Sequence, residues 1–260
     1  MKSISKTGSL LLILTLVISV ISFSVCDAAP QSNPIRVLCY GDSNTWGWIP
    51  LETGFPSSRY APDVRWTGVL QARLGTQYQV IEEGLNGRTA GVDDFANGLY
   101  GDLIPQLNLN GMPTLLPTLK AQAPIDLVVI MLGTNDVKPY LHQDAASIAA
   151  SMDALVKAVK NSCMSSDEWL IYPPPKVLVV APVPVQPGKS IGLNEMFKGG
   201  YDISAQLGTV YADVAKANNV QFFNGATVIS AADGADGIHL SPASHQKLGN
   251  ALAKKIKSMF

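Results

Sequence analysis

The stretch that decides the fold is IRVLCYGDSNT, residues 35–45, in which a short apolar run leads directly into a polar turn. An apolar run of this length, bounded by Gly, Asp and Asn, predicts a buried strand over residues 35–40 that ends in a loop. Four later apolar runs of similar length predict four more strands: residues 79–82, 127–131, 177–181 and 220–223.

Stretches with helical spacing of apolar residues separate these runs. They predict helices at residues 64–74, 144–159, 203–217 and 241–259. This alternation predicts an α/β protein, a three-layer α/β/α sandwich around a five-stranded parallel sheet. We expect the flavodoxin-like strand order 2-1-3-4-5, in which the loops that follow strands 1, 2 and 3 converge on one crevice.

The composition limits the classes of function. The chain has 260 residues, enough for one medium-sized domain, and its formal net charge is −1. Because nucleic-acid-binding domains concentrate Lys and Arg on one face, this balance argues against a nucleic-acid partner. The sequence has neither HExxH nor clustered His and Cys at metal-ligand spacing. We therefore expect no metal and no cofactor.

Residues 1–28 have the pattern of a secretory signal peptide. Lys2 and Lys6 precede a mostly apolar stretch at residues 10–25, which is followed by small residues. We therefore expect cleavage after this segment, export to the periplasm or the medium, and a mature domain of residues 29–260 without a stable membrane span. A membrane anchor is the alternative, although the stretch is short for a spanning helix.

The cysteines are few. Cys26 would be removed with the leader, although its lipidation is a second alternative at this terminus. Cys39 lies in the first predicted strand and Cys163 follows a predicted helix. Two such cysteines do not make a disulfide framework, so we expect free thiols.

Polar residues cluster directly after each of the first three predicted strands. The clusters are GDSNT at residues 41–45, EGLNGRT at 83–89 and GTND at 133–136. A fourth cluster, DGIHL at residues 236–240, precedes the last predicted helix. Because the carboxyl ends of parallel strands share one edge of a sheet, the first three clusters are expected to lie close together.

The residue types in these clusters fit acyl transfer. Attack by a serine hydroxyl requires an imidazole that accepts its proton and a carboxylate that orients the imidazole. His239 is the histidine with an acid at close spacing, three residues earlier, so the predicted catalytic residues are Ser43, Asp236 and His239. For the oxyanion we predict the N–H groups of Ser43 and Gly87 and the side-chain amide of Asn135. Glycine at position 87 would let the backbone approach a ligand closely.

Each of these residues also has a structural interpretation. Ser43 could cap the helix after the first strand, Asn135 could form an Asx turn, and Gly87 could serve only a turn. Four further polar residues are expected to serve packing, the surface or their own loops: Asp42, Asp136, His142 and His245.

The clusters together resemble the four sequence blocks of the SGNH/GDSL hydrolases. The matching residues occur in the family's order: Gly41-Asp42-Ser43, Gly87, Gly133-x-Asn135-Asp136 and Asp236-x-x-His239. One block alone is weak evidence, whereas four in register are specific, and the resemblance extends from residue 35 to the C-terminus. It implies the SGNH hydrolase fold and a serine hydrolase with the three catalytic residues predicted above.

Longer matches at residues 40–48, 65–68, 81–85 and 130–136 resemble the bacterial arylesterase/acyltransferase (perhydrolase-like) branch. This resemblance implies hydrolysis of small aryl or short-chain esters, acyl transfer to alcohols or peroxide, and a homo-oligomer. The predicted signal peptide is a departure from this branch, because it does not fit a cytoplasmic role. Asn44 departs from the Leu that the GDSL name implies. Because this side chain is not catalytic, we expect the change to matter little for the reaction.

Two alternatives to a small-ester esterase stay open. One is a carbohydrate-ester deacetylase, and the other is an exported binding protein that kept the scaffold and lost catalysis. An α/β-hydrolase is disfavoured, because GDSNT lacks the second glycine of the GxSxG nucleophile elbow.

Substrate contacts are less clear from the sequence. Trp48 closely follows the nucleophile and is a candidate for lining the acyl pocket. Two long irregular insertions, residues 91–117 and 182–200, are expected to be binding loops. Met196 and Phe197, in the second insertion, could pack over the site or against a neighbouring subunit.

Overall fold

The structure, a computed structural model, describes residues 33–95, 108–162 and 172–260. Five strands are formed: β1 Ile35–Gly41, β2 Tyr78–Gly84, β3 Leu127–Met131, β4 Lys176–Ala181 and β5 Gln221–Asn224. The α-helices are α1 Ser43–Trp46, α2 Trp66–Leu74, α3 Gly111–Gln122, α4 Ala145–Lys160, α5 Ile191–Phe197, α6 Tyr201–Asn218 and α7 Pro242–Lys257. Short 3-10 helices occur at Pro139–Leu141 and Gly225–Thr227.

The strands form one parallel sheet in the order β2-β1-β3-β4-β5. This confirms the predicted α/β fold and the strand order 2-1-3-4-5. The register brings the carboxyl ends of three strands level, since Gly41 of β1 pairs with Gly84 of β2 and with Met131 of β3. The loops that leave these strands therefore start from the same edge of the sheet.

Helices cover both faces of the sheet because its side chains alternate between two apolar cores. On one face Leu38 and Tyr40 join a core that includes buried residues of α3, α4 and α6. On the other face Val37 and Cys39 pack with buried residues of α2 and α7. The fully buried sheet centre explains why β3 and β4 are almost continuously apolar.

Side-chain caps fix the starts of two of the longer helices, α4 and α7. Asp144 accepts a hydrogen bond from the backbone N–H of Ser147 and caps α4. Ser241 accepts one from the N–H of Ser244 and caps α7, ahead of Pro242 in the first turn. The start of α7 therefore lies directly after the segment at residues 236–240.

Both insertions were predicted to be irregular, and this was wrong for part of each. In the first, α3 begins at Gly111 despite Pro117, because Leu115 and Leu119 are buried in the core beneath it. In the second, α5 buries Leu193 and Phe197. Burial of the apolar residues outweighs the helix-breaking composition.

Some predictions fall on residues outside the described stretches. The signal peptide at residues 1–28 and the thiol of Cys163 are among them. Cys39 is described, and it is a free, buried thiol. Within the described stretches no helix is long and apolar enough to cross a membrane.

Candidate active site

Three of the predicted site residues form a continuous hydrogen-bonded line. Nε2 of His239 lies 2.8 Å from Oγ of Ser43, and Nδ1 of His239 lies 2.7 Å from Oδ2 of Asp236. All three side chains are buried, with Ser43 6%, His239 5% and Asp236 0% exposed. Segments that are almost 200 residues apart in the chain thus meet at the carboxyl edge of the sheet.

The sharp turn after β1 places the serine. Asp42 is the N-cap of α1, and its carboxylate accepts a hydrogen bond from the backbone N–H of Asn44 at 2.9 Å. Ser43 is therefore the first residue of a helix, with its hydroxyl at the end of the strand. Gly41 is required next to it, because a Cβ atom at this position would collide with Thr45.

One carboxylate organises the turn that carries the histidine. Oδ1 of Asp236 accepts hydrogen bonds from the backbone N–H groups of Ile238 at 3.0 Å and His239 at 2.9 Å, while Oδ2 contacts the ring. Burial alone would raise the pKa of Asp236, but the hydrogen bonds and the imidazole outweigh it and lower that pKa below its ordinary value. An ionised Asp236 accepts a hydrogen bond from Nδ1–H, which leaves Nε2 free to accept the proton of Ser43.

The three predicted oxyanion donors lie around the same point. The cavity beside the serine is lined by Ser43, Gly87 and Asn135. One N–H of the Asn135 amide donates to the carbonyl of Arg88 at 3.1 Å, which fixes the orientation of the amide. The backbone N–H groups of Ser43 and Gly87 donate to no acceptor among the described residues. These are the groups that an oxyanion would need.

A small cavity of about 40 Å³ opens at the serine. Its wall is mainly apolar and includes Trp48, Phe55, Asn86, Lys138, Leu193, Met196, Phe197 and Ile238. The cavity is therefore small at the nucleophile, where the acyl part of an ester would lie. An acyl group that fills it is therefore short.

Aromatic residues line the cavity beside the serine. Trp48 lines the cavity, as the sequence suggested, and its indole is stacked on the ring of His239. Met196 and Phe197 line the cavity too, which places them over the site of their own chain. Phe197 is 3% exposed and also belongs to the apolar core that contains Leu38 and Tyr40.

Lys138, which lines the cavity, belongs to a buried ion pair. Nζ of Lys138 lies 2.9 Å from Oδ2 of Asp94, and the two side chains are 2% and 1% exposed. Tyr140 donates a hydrogen bond to the same carboxylate oxygen at 3.1 Å. Sequence reasoning missed Lys138, although its position two residues after the GTND cluster was a usable signal.

The four polar residues expected to have structural roles lie outside the hydrogen-bonded line. Both oxygens of Asp136 lie 2.9 Å from the backbone N–H of Ala90, and burial raises the pKa of Asp136 to about 7. His245 is fully buried, whereas His142 is exposed. Asp42 serves as the cap described above.

Asn44 is the second residue whose part sequence reasoning missed. Its side chain is buried and reaches the segment that carries His239, where it forms hydrogen bonds to Ile238 and Leu240. The unusual residue after the nucleophile was visible in the sequence, but its partner almost 200 residues away was not.

Comparison with known proteins agrees with this geometry. The sequence model of the GDSL-like lipase/acylhydrolase family matches residues 39–247. A solved aryl esterase from M. smegmatis is 44% identical with a TM-score of 0.78, and the match covers 86% of this chain and 99% of that protein. A carbohydrate acetylesterase from Sinorhizobium meliloti is 43% identical with a TM-score of 0.79 and the same coverage.

A curated relative with a sequence match is the acetylxylan esterase of Xylanibacter ruminicola. It is 26% identical, and the match covers 88% of this chain. It covers 44% of that protein, so this chain spans less than half the length of the curated relative.

Proposed function

Because this chain belongs to the GDSL-like lipase/acylhydrolase family, we propose that it is a serine esterase that hydrolyses small aryl or short-chain esters through an acyl-serine intermediate on Ser43. The observation that carries the proposal is the hydrogen-bonded line from Asp236 through His239 to Ser43, which ends at a small apolar cavity. A nucleophile, its base and an acyl-sized space therefore coincide.

In the first half of the proposed reaction, Oγ of Ser43 attacks the ester carbonyl carbon while its proton passes to Nε2 of His239. Asp236 stabilises the imidazolium that forms. The developing oxyanion is held by the N–H groups of Ser43 and Gly87 and the amide of Asn135. When the tetrahedral intermediate collapses, the alcohol leaves with the proton from His239.

In the second half, water attacks the carbonyl carbon of the acyl group bound to Ser43 and gives a proton to His239. Ser43 recovers a proton from His239 as the carboxylic acid departs. An alcohol can replace this water, which yields a new ester by acyl transfer. The apolar wall around the serine supports this second outcome, because it disfavours bulk water at the acyl carbon.

A specific observation also favours the carbohydrate-ester deacetylase alternative. Two similar proteins are described as a carbohydrate acetylesterase and an acetylxylan esterase, and an acetyl group matches the small cavity. Both functions use the same residues and differ in the alcohol part of the ester. Acetate release from acetylated xylan, compared with turnover of p-nitrophenyl acetate, separates them.

We also propose that residues 1–28 direct export and are removed. The N-terminal sequence of the protein recovered from the periplasm or the medium would test this, and an intact N-terminus there would contradict it. A homo-oligomer remains a prediction from the arylesterase resemblance, for which light scattering of the purified protein is the measurement.

The proposed function is tested with a fluorophosphonate probe and a matched pair of variants. The wild-type protein should be labelled stoichiometrically at Ser43, and Ser43→Ala should lose the label and about 10⁴-fold or more of kcat. Ser204→Ala is the control, because Ser204 is also buried but lies outside the cavity. An unlabelled wild-type protein would instead support the inactive binding protein.

A further inference from the structure

The side-chain amide of Asn44 contacts the backbone on both sides of His239. Its Nδ2 donates to the carbonyl of Ile238 at 3.3 Å, and its Oδ1 accepts from the N–H of Leu240 at 3.1 Å. Asn44 is 7% exposed and directly follows Ser43 in α1. One amide therefore ties the turn that carries the serine to the segment that carries the histidine.

These two hydrogen bonds complete the pairing of the backbone groups around His239. The N–H groups of Ile238 and His239 donate to Asp236, and the carbonyl of His239 accepts from the N–H of Gly234 at 2.9 Å. With Asn44, five consecutive backbone groups from the N–H of Ile238 to the N–H of Leu240 are satisfied. The bonds to Asp236 and Gly234 form within one loop, residues 234–240, so they fix the shape of this loop but not its distance from Ser43.

We propose that Asn44 is a positioning residue, which holds the segment at residues 238–240 so that Nε2 of His239 stays within hydrogen-bonding distance of Oγ of Ser43. The inference rests on the proposed roles of Ser43 and His239. It gives the departure from the GDSL pattern a function, because Leu at position 44 has no group that can hydrogen-bond to Ile238 or Leu240.

The size of the effect follows from the sensitivity of proton transfer to geometry. A displacement of about 1 Å between reacting groups can reduce a rate by about 100-fold. Loss of the Asn44 bonds releases the histidine segment on the side that faces the serine, while the part of the cavity wall formed by Phe55, Leu193 and Phe197 stays in place. The variant should therefore lose kcat and keep its KM.

The test is Asn44→Leu, with Asn218→Leu as the matched control. Asn218 is also 7% exposed, and its amide hydrogen-bonds to Asp153 and Val214 at the far end of α6. Asn44→Leu should lower kcat for p-nitrophenyl acetate by about 10- to 100-fold, with KM changed by less than about threefold. Asn218→Leu should lower the melting temperature yet keep kcat.

The outcomes separate this inference from the proposed function. A folded Asn44→Leu protein with wild-type kcat overturns the positioning role alone, as does an equal loss of kcat in Asn218→Leu. Wild-type kcat in Ser43→Ala would overturn the proposed function itself.

If Asn44→Leu does not fold, hydrogen exchange of the wild-type protein still decides. The N–H of Leu240 should exchange slowly, like the amides of α7, because it is bonded to Asn44. Exchange as fast as an exposed loop amide would overturn the inference.

Discussion

The indole of Trp48 is stacked on the imidazole of His239, with ring centroids 5.4 Å apart and 22° between the ring planes. Phe55 packs edge-on against Trp48, with the two ring centroids 5.5 Å apart. The ring of His239 is thus restrained by its hydrogen bonds to Ser43 and Asp236 and by an aromatic surface.

Trp48→Ala should lower kcat for p-nitrophenyl acetate by about tenfold, which corresponds to ~1.4 kcal/mol and to the energy of one aromatic pair. The reason is that the ring of His239 loses its packing partner and gains water. Trp48→Phe keeps an aromatic face and should stay within about threefold of the wild type. Steady-state kinetics of the two variants would refute the role of stacking if both were equally impaired.

Asp236→Asn should be far more damaging to catalysis than to folding. The Asn oxygen can still accept the N–H groups of Ile238 and His239, but its NH₂ group would face Nδ1 of His239. That favours the tautomer with a proton on Nε2, which cannot accept the proton of Ser43. We expect kcat to fall by about 10⁴-fold.

The check on Asp236→Asn is kcat measured together with the melting temperature. If kcat decreased by less than about tenfold, the carboxylate would not set the tautomer of His239. A collapse of the melting temperature would show that the Asn does not reproduce the backbone hydrogen bonds.

The sheet could be predicted from the sequence because its physical cause is local. Strands buried on both faces are apolar throughout, so β3 was predicted at its observed bounds, residues 127–131. The edge strand β2 was predicted too short, since only part of Tyr78–Gly84 is apolar. Helix α3 was missed because its stability comes from burial of Leu115 and Leu119, which the sequence pattern around Pro117 conceals.

The site residues, too, divide into those that local sequence predicts and those that depend on tertiary packing. The hydrogen-bonded line comes from residues that lie at predicted strand ends or in a tight turn, where residue type and spacing indicate the chemistry. Much of the cavity wall comes from α5, in the second insertion, and from Phe55, in the loop between α1 and α2. Their positions depend on how these segments fold back over the sheet edge. Asn44 and Lys138 were missed because their partners are set by tertiary packing.

Gly87→Ala should reduce both stability and activity. Gly87 has φ +83°, and a Cβ atom there would lie 2.7 Å from Cδ1 of Leu109. The backbone strain alone is about 1–3 kcal/mol. Because Gly87 lines the cavity, relief of the clash would also move a proposed oxyanion donor and lower kcat by about tenfold or more.

The control for Gly87→Ala is Gly75→Ala. Gly75 has φ +81°, but a Cβ atom there would meet nothing within 4 Å, and the residue lies outside the cavity. It should lose stability in urea unfolding and keep kcat. If Gly87→Ala also kept kcat, the N–H of Gly87 would have no part in oxyanion binding.

Stability should fall as the pH drops through the range set by His245. Nδ1 of His245 accepts a hydrogen bond from the backbone N–H of Trp66 at 3.1 Å, at the start of α2. Burial is the main reason that the pKa of His245 falls from 6.5 to about 4, and the nearby His239 adds to the shift. Between these values the unfolded chain binds a proton that the folded protein does not, so acid favours unfolding.

The full effect is roughly 3 kcal/mol, reached as the pH falls from about 6.5 to about 4. Urea unfolding of the wild type and of His245→Asn across this range would measure it, because the Asn oxygen can replace Nδ1 as the acceptor for Trp66 but does not titrate. Carboxylates contribute equally to both proteins, so the difference between the two curves isolates His245. Parallel curves would contradict the assignment, whereas a wild-type curve that falls more steeply in acid would establish His245 as the acid-sensitive contact between α2 and α7.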